Sequence, residues 1–318
     1  MDTTPRLRNS RWDRNPRTDR NGKPTVAHIV ERDLDLFKVL ARYRFLAADY
    51  IHAFMGGDYR SLIRRLALLS RKPNYYLNRP NQQREMADAN YRKLIYELDD
   101  RGAQVLRDRD ITVPKKRFHR NFGHELMVCQ IAASLELGTR EDRAIHLIRW
   151  PVIMAGDRFP EATRKLSNPT SIPFGDEFVT PDWEPFVFAL NNGSGPKVFL
   201  PGFEADCGTE PIDAEDAERS SIRAKFRAYL TVLDCGIHRK HFGVNTCMVA
   251  LITTNETRMR SMMALLERME PGQLAKHFIF KHMPAFTSYQ QSAPATGHML
   301  TEPWHRTGRL PDFRLDQA

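Results

Sequence analysis

Cysteine is scarce in this chain, with four in 318 residues (Cys129, Cys207, Cys235, Cys247), and no two form a C-x-x-C pair. A disulfide scaffold is excluded as the organising principle, and a reducing, cytoplasmic setting is expected. Long apolar runs are missing too: none approaches the roughly 18 residues of a membrane-spanning helix. The Arg-rich N-terminus lacks the apolar stretch of a secretory signal. No G-x-x-x-x-G-K-[ST] occurs, which argues against P-loop NTP hydrolysis. G-x-S-x-G is absent as well, leaving serine-hydrolase chemistry without support. His277 and His282 have no companion ligands nearby in sequence, so zinc is not expected. His238-Arg239-Lys240-His241 lacks the hydrophobic spacer of a His-hydrophobe-His motif and reads as a basic loop.

What is present is positive charge, unevenly spread. The formal net charge is +9, and residues 1–120 carry 27 Lys and Arg against 15 Asp and Glu. The remainder is slightly acidic. A basic front suggests binding to a phosphate backbone, and a near-neutral back suggests a second task. Residues 1–30 read as a flexible basic arm.

Residues 31–112 read as three short helices and a hairpin. Asp33 is a capping-type residue ahead of Leu36, Phe37, Val39 and Leu40. Phe45–Ile51 suits a second helix, and Gly56-Gly57 breaks it. Tyr59–Ser70 forms a third, with Leu62, Leu66 and Leu69 inward. Strand-like runs follow at Asn74–Arg79 and Tyr91–Leu98. This order is that of a winged helix-turn-helix, whose third helix enters the major groove of double-stranded DNA. Arg60, Arg64 and Arg65 on that helix are the expected DNA contacts, with Arg71 and Lys72 after it and Arg79 or Arg84 on the wing. Lys115, Lys116 and Arg117 form a basic linker placed to touch a passing duplex.

Residues 113–285 follow an α-β-β-β-α-β order, and residues 286–318 read as a tail in which Trp304 anchors against the body. A helix runs from Asn121 to about Leu137. Strands are expected at Ala144–Trp150, at Phe178–Leu190 carrying Asp182, and at Lys197–Asp206. A helix after Asp213 opens with Glu215, Asp216 and Glu218 in its first turn. Asn245–Thr253 is a buried strand, Glu256–Met269 a helix with a Met-rich core face, and His277–Phe280 a last strand.

Acids converge in this half. Strand alternation puts Glu204 and Asp206 on one face, and Asp182 on a neighbouring strand can join them. Such carboxylates suit Mg²⁺ or Mn²⁺, which make bound water acidic enough to attack a phosphodiester. Lys225 and Tyr229 lie i, i+4 on one helical face.

The winged-helix front, the αβββαβ back and the pattern Pro181-Asp182 … Glu204-x-Asp206 … Lys225-x-x-x-Tyr229 resemble the replication-relaxation family of plasmids and other mobile elements. The likeness covers roughly residues 30–270, and the back half is similar to the restriction-endonuclease-like (PD-D/E-x-K) fold, giving an α+β protein overall. The resemblance implies DNA processing in replication, relaxation or transfer, with Asp182 and Glu204 as metal ligands. It also implies a lysine where this chain has Asp206, a departure that turns attention to Lys225 on the next helix. Glu125, beside His124, is the acid that the first helix would contribute, and Glu210 is a further candidate.

The expectation is thus a metal-dependent endonuclease, with Asp182, Glu204 and Asp206 holding the ion and a homodimer as a possible assembly. The alternative is a non-catalytic, sequence-specific replication or transcription regulator with an inactivated nuclease fold. A third reading is a protein-docking adaptor.

Overall fold

A computed structural model describes residues 13–85, 93–114, 121–195, 197–214, 221–283 and 293–317. The chain divides into two units, one ending at Phe122 and one beginning at Gly123.

The first unit opens with helix α1 (Glu31–Tyr43), three residues earlier than the Asp33 cap suggests. Asp33 instead sits in the first turn, where its carboxylate accepts from Val30 N at 2.9 Å. Leu34, Leu36, Phe37, Val39 and Leu40 of α1 are buried. Strand β1 (Leu46–Ala47) leads into α2 (Ala48–Met55), and α3 (Tyr59–Leu69) is capped by Asp58, which accepts from Ser61 N at 2.8 Å. Gly56 and Gly57, both at positive φ, turn the chain between these helices. Strands β2 (Leu77–Asn78) and β3 (Ile95–Leu98) pair antiparallel, β1 adds to the other edge of β3, and α4 (Asp100–Arg107) follows. At Gly102 an added Cβ would meet Tyr76 O at 2.4 Å, so α4 reaches its place only without a side chain there. Three helices and an antiparallel strand pair are present, but Leu46–Ala47 of the expected second helix is strand β1, the paired strands are shorter than expected, and α4 is an addition.

The second unit is built around α5 (Phe122–Glu141), whose 14 buried residues occupy nearly every side. Strand β4 (His146–Arg149), short helices α6 (Trp150–Ala155) and α7 (Glu161–Arg164), and the hairpin of β5 (Ile172–Phe174) with β6 (Glu177–Val179) come next. Strand β7 (Phe186–Ala189) pairs antiparallel with β4 and with β8 (Lys197–Leu200). Strand β9 (Phe203–Asp206) pairs parallel with β10 (Val249–Thr253), which pairs parallel with β11 (Phe278–His282). Helices α8 (Ile222–Asp234), α9 (Ile237–Phe242) and α10 (Glu256–Arg268) link β9 to β10 and β10 to β11, and α11 (His298–Thr301) lies near the end. The unit is a mixed α+β structure, and among its described residues no helix is long and apolar enough to cross a membrane.

Two expected strands are each broken in two. Phe178–Leu190 splits into β6 and β7, so Asp182 lies in the intervening loop. Lys197–Asp206 splits at Pro201-Gly202 into β8 and β9. The cause is steric: Gly202 has φ of 131°, and a Cβ there would meet Trp183 O at 2.2 Å and Pro181 Cβ at 2.5 Å. The bend wraps the chain around Pro181-Asp182-Trp183, and Asp182 N donates to Phe203 O at 3.0 Å.

The core behind β9–β11 is aromatic. Phe226 of α8 meets Phe278 and Phe280 of β11 edge-on at 5.7 and 6.1 Å. Met259, Met262 and Met263 of α10 are buried, as the Met-rich run implies. Helix α8 starts at Ser221, whose hydroxyl caps it; the expected acidic first turn at Glu215, Asp216 and Glu218 lies outside the described residues. Trp304 is 1% exposed and donates from Nε1 to Met299 O at 2.8 Å, the anchoring its composition suggests.

Candidate active site

The bend at Gly202 sets the geometry of the acids. It brings the loop carrying Asp182 against β9, where Asp182 Oδ2 accepts from Ala205 N at 2.8 Å. From the first turn of α5, His124 Nε2 donates to Ala205 O at 3.0 Å and lies 3.3 Å from the same Asp182 oxygen. Both contacts fall on Oδ2, leaving Oδ1 to other ligands. Glu204, the residue before Ala205, is 4% exposed. Tyr229 donates to its Oε1 at 2.5 Å, and Lys225 Nζ stands 3.0 Å from its Oε2. Lys225 and Tyr229 share the face of α8 that packs on β9, as their i, i+4 spacing requires. Lys225 Nζ is also 3.2 Å from Glu210 Oε2. His124, Asp182, Glu204, Glu210, Lys225 and Tyr229 therefore form one group.

Charge is finely divided within it. Burial pushes the Asp182 carboxyl up, but the His124 hydrogen bond and the Lys225 ammonium outweigh it and hold Asp182 below the usual range. Glu204 moves the other way, because its complete burial exceeds the pull of Lys225. Burial alone would discharge Lys225, yet Glu204, Asp182 and Glu210 hold its proton well above the ordinary lysine value. The hydrogen bond to Asp182 likewise raises His124. Two carboxylates driven apart beside a permanent cation is an arrangement found where acid and base roles are separated.

Asp206 belongs to a different group, although it shares a strand face with Glu204. Arg258 of α10 forks onto both its oxygens, Nη2 reaching Oδ1 at 2.9 Å, and Thr253 Oγ1 donates to Oδ2 at 2.7 Å. Gly208 N adds a contact at 3.1 Å. Asp206 is thereby held apart from Asp182 and Glu204, with which it was expected to converge. Among the described residues no group of three or more His, Cys, Asp and Glu side chains is placed to hold a metal ion. Glu125 is buried on the first turn of α5, next to His124. Arg258 and Thr253 were not expected here. Their role depends on the parallel register Thr253↔Asp206, which no local pattern reveals.

The expected basic loop at His238–His241 is instead helix α9. Both imidazoles are buried: His238 lies 3.2 Å from Asn245 O, and His241 lies 3.0 Å from Pro169 O.

In the first unit the expected DNA contacts separate by burial. Arg60, Arg64 and Lys72 are exposed. Arg65 instead pairs with buried Asp33 and donates to His28 O, tying α3 to α1. Arg79 is 3% exposed and donates to Asp13 O, and Arg71 is 9% exposed. Lys115, Lys116 and Arg117 lie outside the described residues.

A family model described as replication-relaxation matches residues 37–248. No curated protein and no solved structure matches the chain. The matched span runs from α1 to the approach of β10 and includes Asp182, Glu204, Lys225 and Tyr229. With two thirds of its length so matched, the chain belongs to the replication-relaxation family.

Proposed function

We propose that this is a DNA-processing protein of a plasmid or other mobile element. Its first unit acts as a winged helix on double-stranded DNA, and its second, with a restriction-endonuclease-like arrangement, nicks or cleaves DNA using Mg²⁺ or Mn²⁺. The observation that carries this reading is the grouping of Glu204 on β9 with Asp182 of the β6–β7 loop and the retained Lys225 ammonium of α8. The order α5-β4-β7-β8/β9-α8-β10 supports it.

Mg²⁺ is commonly held by one or two carboxylates, with water and phosphate oxygens completing six positions. Asp182 and Glu204 supply a donor set of that kind, so the residues fit the ion. When bound, the ion acidifies water and polarises a phosphate oxygen. The chain's own residues supply the rest. His124 and Ala205 N hold Asp182 by one oxygen, and Tyr229 and Lys225 hold Glu204 by one oxygen each, so both carboxylates are oriented beforehand. Lys225, kept protonated, brings positive charge to where negative charge builds on phosphorus. It serves as a cation and not as a base.

The test is incubation of supercoiled plasmid with the protein and Mg²⁺ or Mn²⁺. Metal-dependent nicking by wild type, lost in Asp182→Asn and Glu204→Gln, is expected. Intact plasmid alongside salt-sensitive DNA binding sinks the nuclease reading.

That second outcome corresponds to a non-catalytic DNA-binding regulator. One observation favours it: Lys225 bridges Glu204 and Glu210 while Asp206 is committed to Arg258, a self-satisfied ion-pair network.

A further inference from the structure

An ion pair that faces water is weak and exchanges readily, whereas a buried pair resists removal of either partner. Lys225 makes one contact of each kind. Its Nζ lies 3.0 Å from Glu204 Oε2 and 3.2 Å from Glu210 Oε2, and the two acidic side chains are 4% and 29% exposed. Glu204 is held a second time, by the Tyr229 hydroxyl at 2.5 Å. Of these two partners, Glu210 is the one that a ligand arriving from solvent meets first.

The backbone builds this pairing. Gly208, at φ of 83°, turns the chain directly after β9, and its N–H donates to Asp206 Oδ1 at 3.1 Å. Arg258 of α10 donates to the Glu210 carbonyl as well as forking onto Asp206. At the start of α8, Ile222 N and Arg223 N donate to Pro211 O and Ile212 O, each at 3.1 Å. Residues 206–212 are thus fastened to α10 on one side and to α8 on the other, about one turn from Lys225. The main chain at Glu210 is fixed there, and its long side chain keeps the rotameric freedom to swing.

We propose that Glu210 is an internal competitor for a DNA phosphate: in the free protein its carboxylate occupies the outer side of Lys225, and it swings into solvent when a backbone phosphate takes its place. A phosphate oxygen suits the same ammonium that a carboxylate oxygen does. The exchange costs little because Glu210 is already partly hydrated, whereas displacing Glu204 would strand a buried charge. This assignment rests on the reading of the second unit as a nuclease, and it makes the Lys225 ion-pair network the resting state of that site.

The experiment measures the affinity of the full chain for a labelled duplex by fluorescence anisotropy, with Ca²⁺ in place of Mg²⁺. Glu210→Gln is expected to bind on the order of 5-fold more tightly, the worth of a partly exposed ion pair. Removing an acid anywhere near DNA strengthens binding through long-range charge, so two further variants isolate the contact. Glu210→Asp keeps the charge but shortens its reach, and is expected to be intermediate. In a Lys225→Met background, Glu210→Gln is expected to change affinity by less than about 2-fold.

Equal tightening with and without Lys225, or no tightening in a protein whose wild type binds, overturns the competitor and leaves the nuclease reading intact. Weaker binding by Glu210→Gln overturns it in favour of a cation ligand. If Lys225→Met does not fold, Glu210→Asp decides, and wild-type affinity in that variant overturns the contact. Lys225-dependent tightening in a protein whose wild type never nicks keeps the competitor and removes the nuclease reading. Absence of duplex binding by wild type overturns both.

Discussion

Glu204 and Asp206 stand two residues apart on β9, both are buried, and each faces a cation from a following helix. The cations differ. Asp206 receives an arginine fork, a threonine hydroxyl and a backbone N–H, which saturate both oxygens. Glu204 receives a lysine and one tyrosine hydroxyl. A guanidinium clamps a carboxylate in fixed planar geometry, whereas an ammonium is a compact charge on a flexible stem that can exchange partners. The Asp206 corner is therefore built to stay closed, tying β9, β10 and α10 together. The Glu204 corner can open toward another ligand.

The strongest way to break this comparison is through stability. Arg258→Met leaves Asp206 as a buried carboxylate without its counter-charge, and removing one partner of a buried pair costs about 3–5 kcal/mol. Urea unfolding should show that loss, with Arg258→Lys intermediate because it keeps the charge and loses the fork. Lys225→Met should behave differently. Glu204 is already pushed up by burial and takes a proton, so stability falls by only about 1–2 kcal/mol. On the proposed nuclease reading, plasmid nicking should by contrast fall by about 10²–10³-fold, the usual cost of removing one donor that stabilises transition-state charge. Equal destabilisation by Arg258→Met and Lys225→Met would mean that both corners are structural. Thr253→Val sharpens the contrast at smaller scale: it removes one hydroxyl from Asp206 and should cost about 1 kcal/mol with nicking unchanged.

Local patterns made the long helices α5, α8 and α10, the strand β10 and the nearness of Asp182, Glu204, Lys225 and Tyr229 legible, because i+4 spacing and strand alternation are properties of neighbouring residues. The bend at Gly202 was hidden, since it answers the backbone of Trp183, 19 positions earlier. Asp206 read as a ligand for a related reason. Its separation from Asp182 and Glu204 depends on which residue of β10 lies beside it, and on an arginine 52 positions later. In the first unit, composition revealed positive charge but not burial. Arg65, Arg71 and Arg79 therefore read like Arg60 and Arg64, although only the latter two are exposed.

A third cation, this one on the sheet itself, extends the comparison to its weakest member. Lys281 of β11 lies in register with Ile252 of β10 and is 5% exposed. Its closest partners are neutral: its Nζ donates to His298 O at 2.7 Å and Glu302 O at 3.1 Å, and lies 5.6 Å from the Trp304 ring centroid. The Glu302 carboxylate is 3.6 Å away and largely exposed. Burial therefore dominates and pushes Lys281 down to about 8, from 10.5 in an unfolded chain. Between those two values the unfolded chain binds the extra proton, so stability must rise as pH rises from about 8 to 10.5. Urea midpoints across that window should increase for wild type and remain flatter for Lys281→Met. A lysine held by an effective counter-charge, as Lys225 is, would give no rise in that window and a fall only above 10.5. The sign of this pH dependence therefore distinguishes a cation tolerated by the fold from one retained by the site.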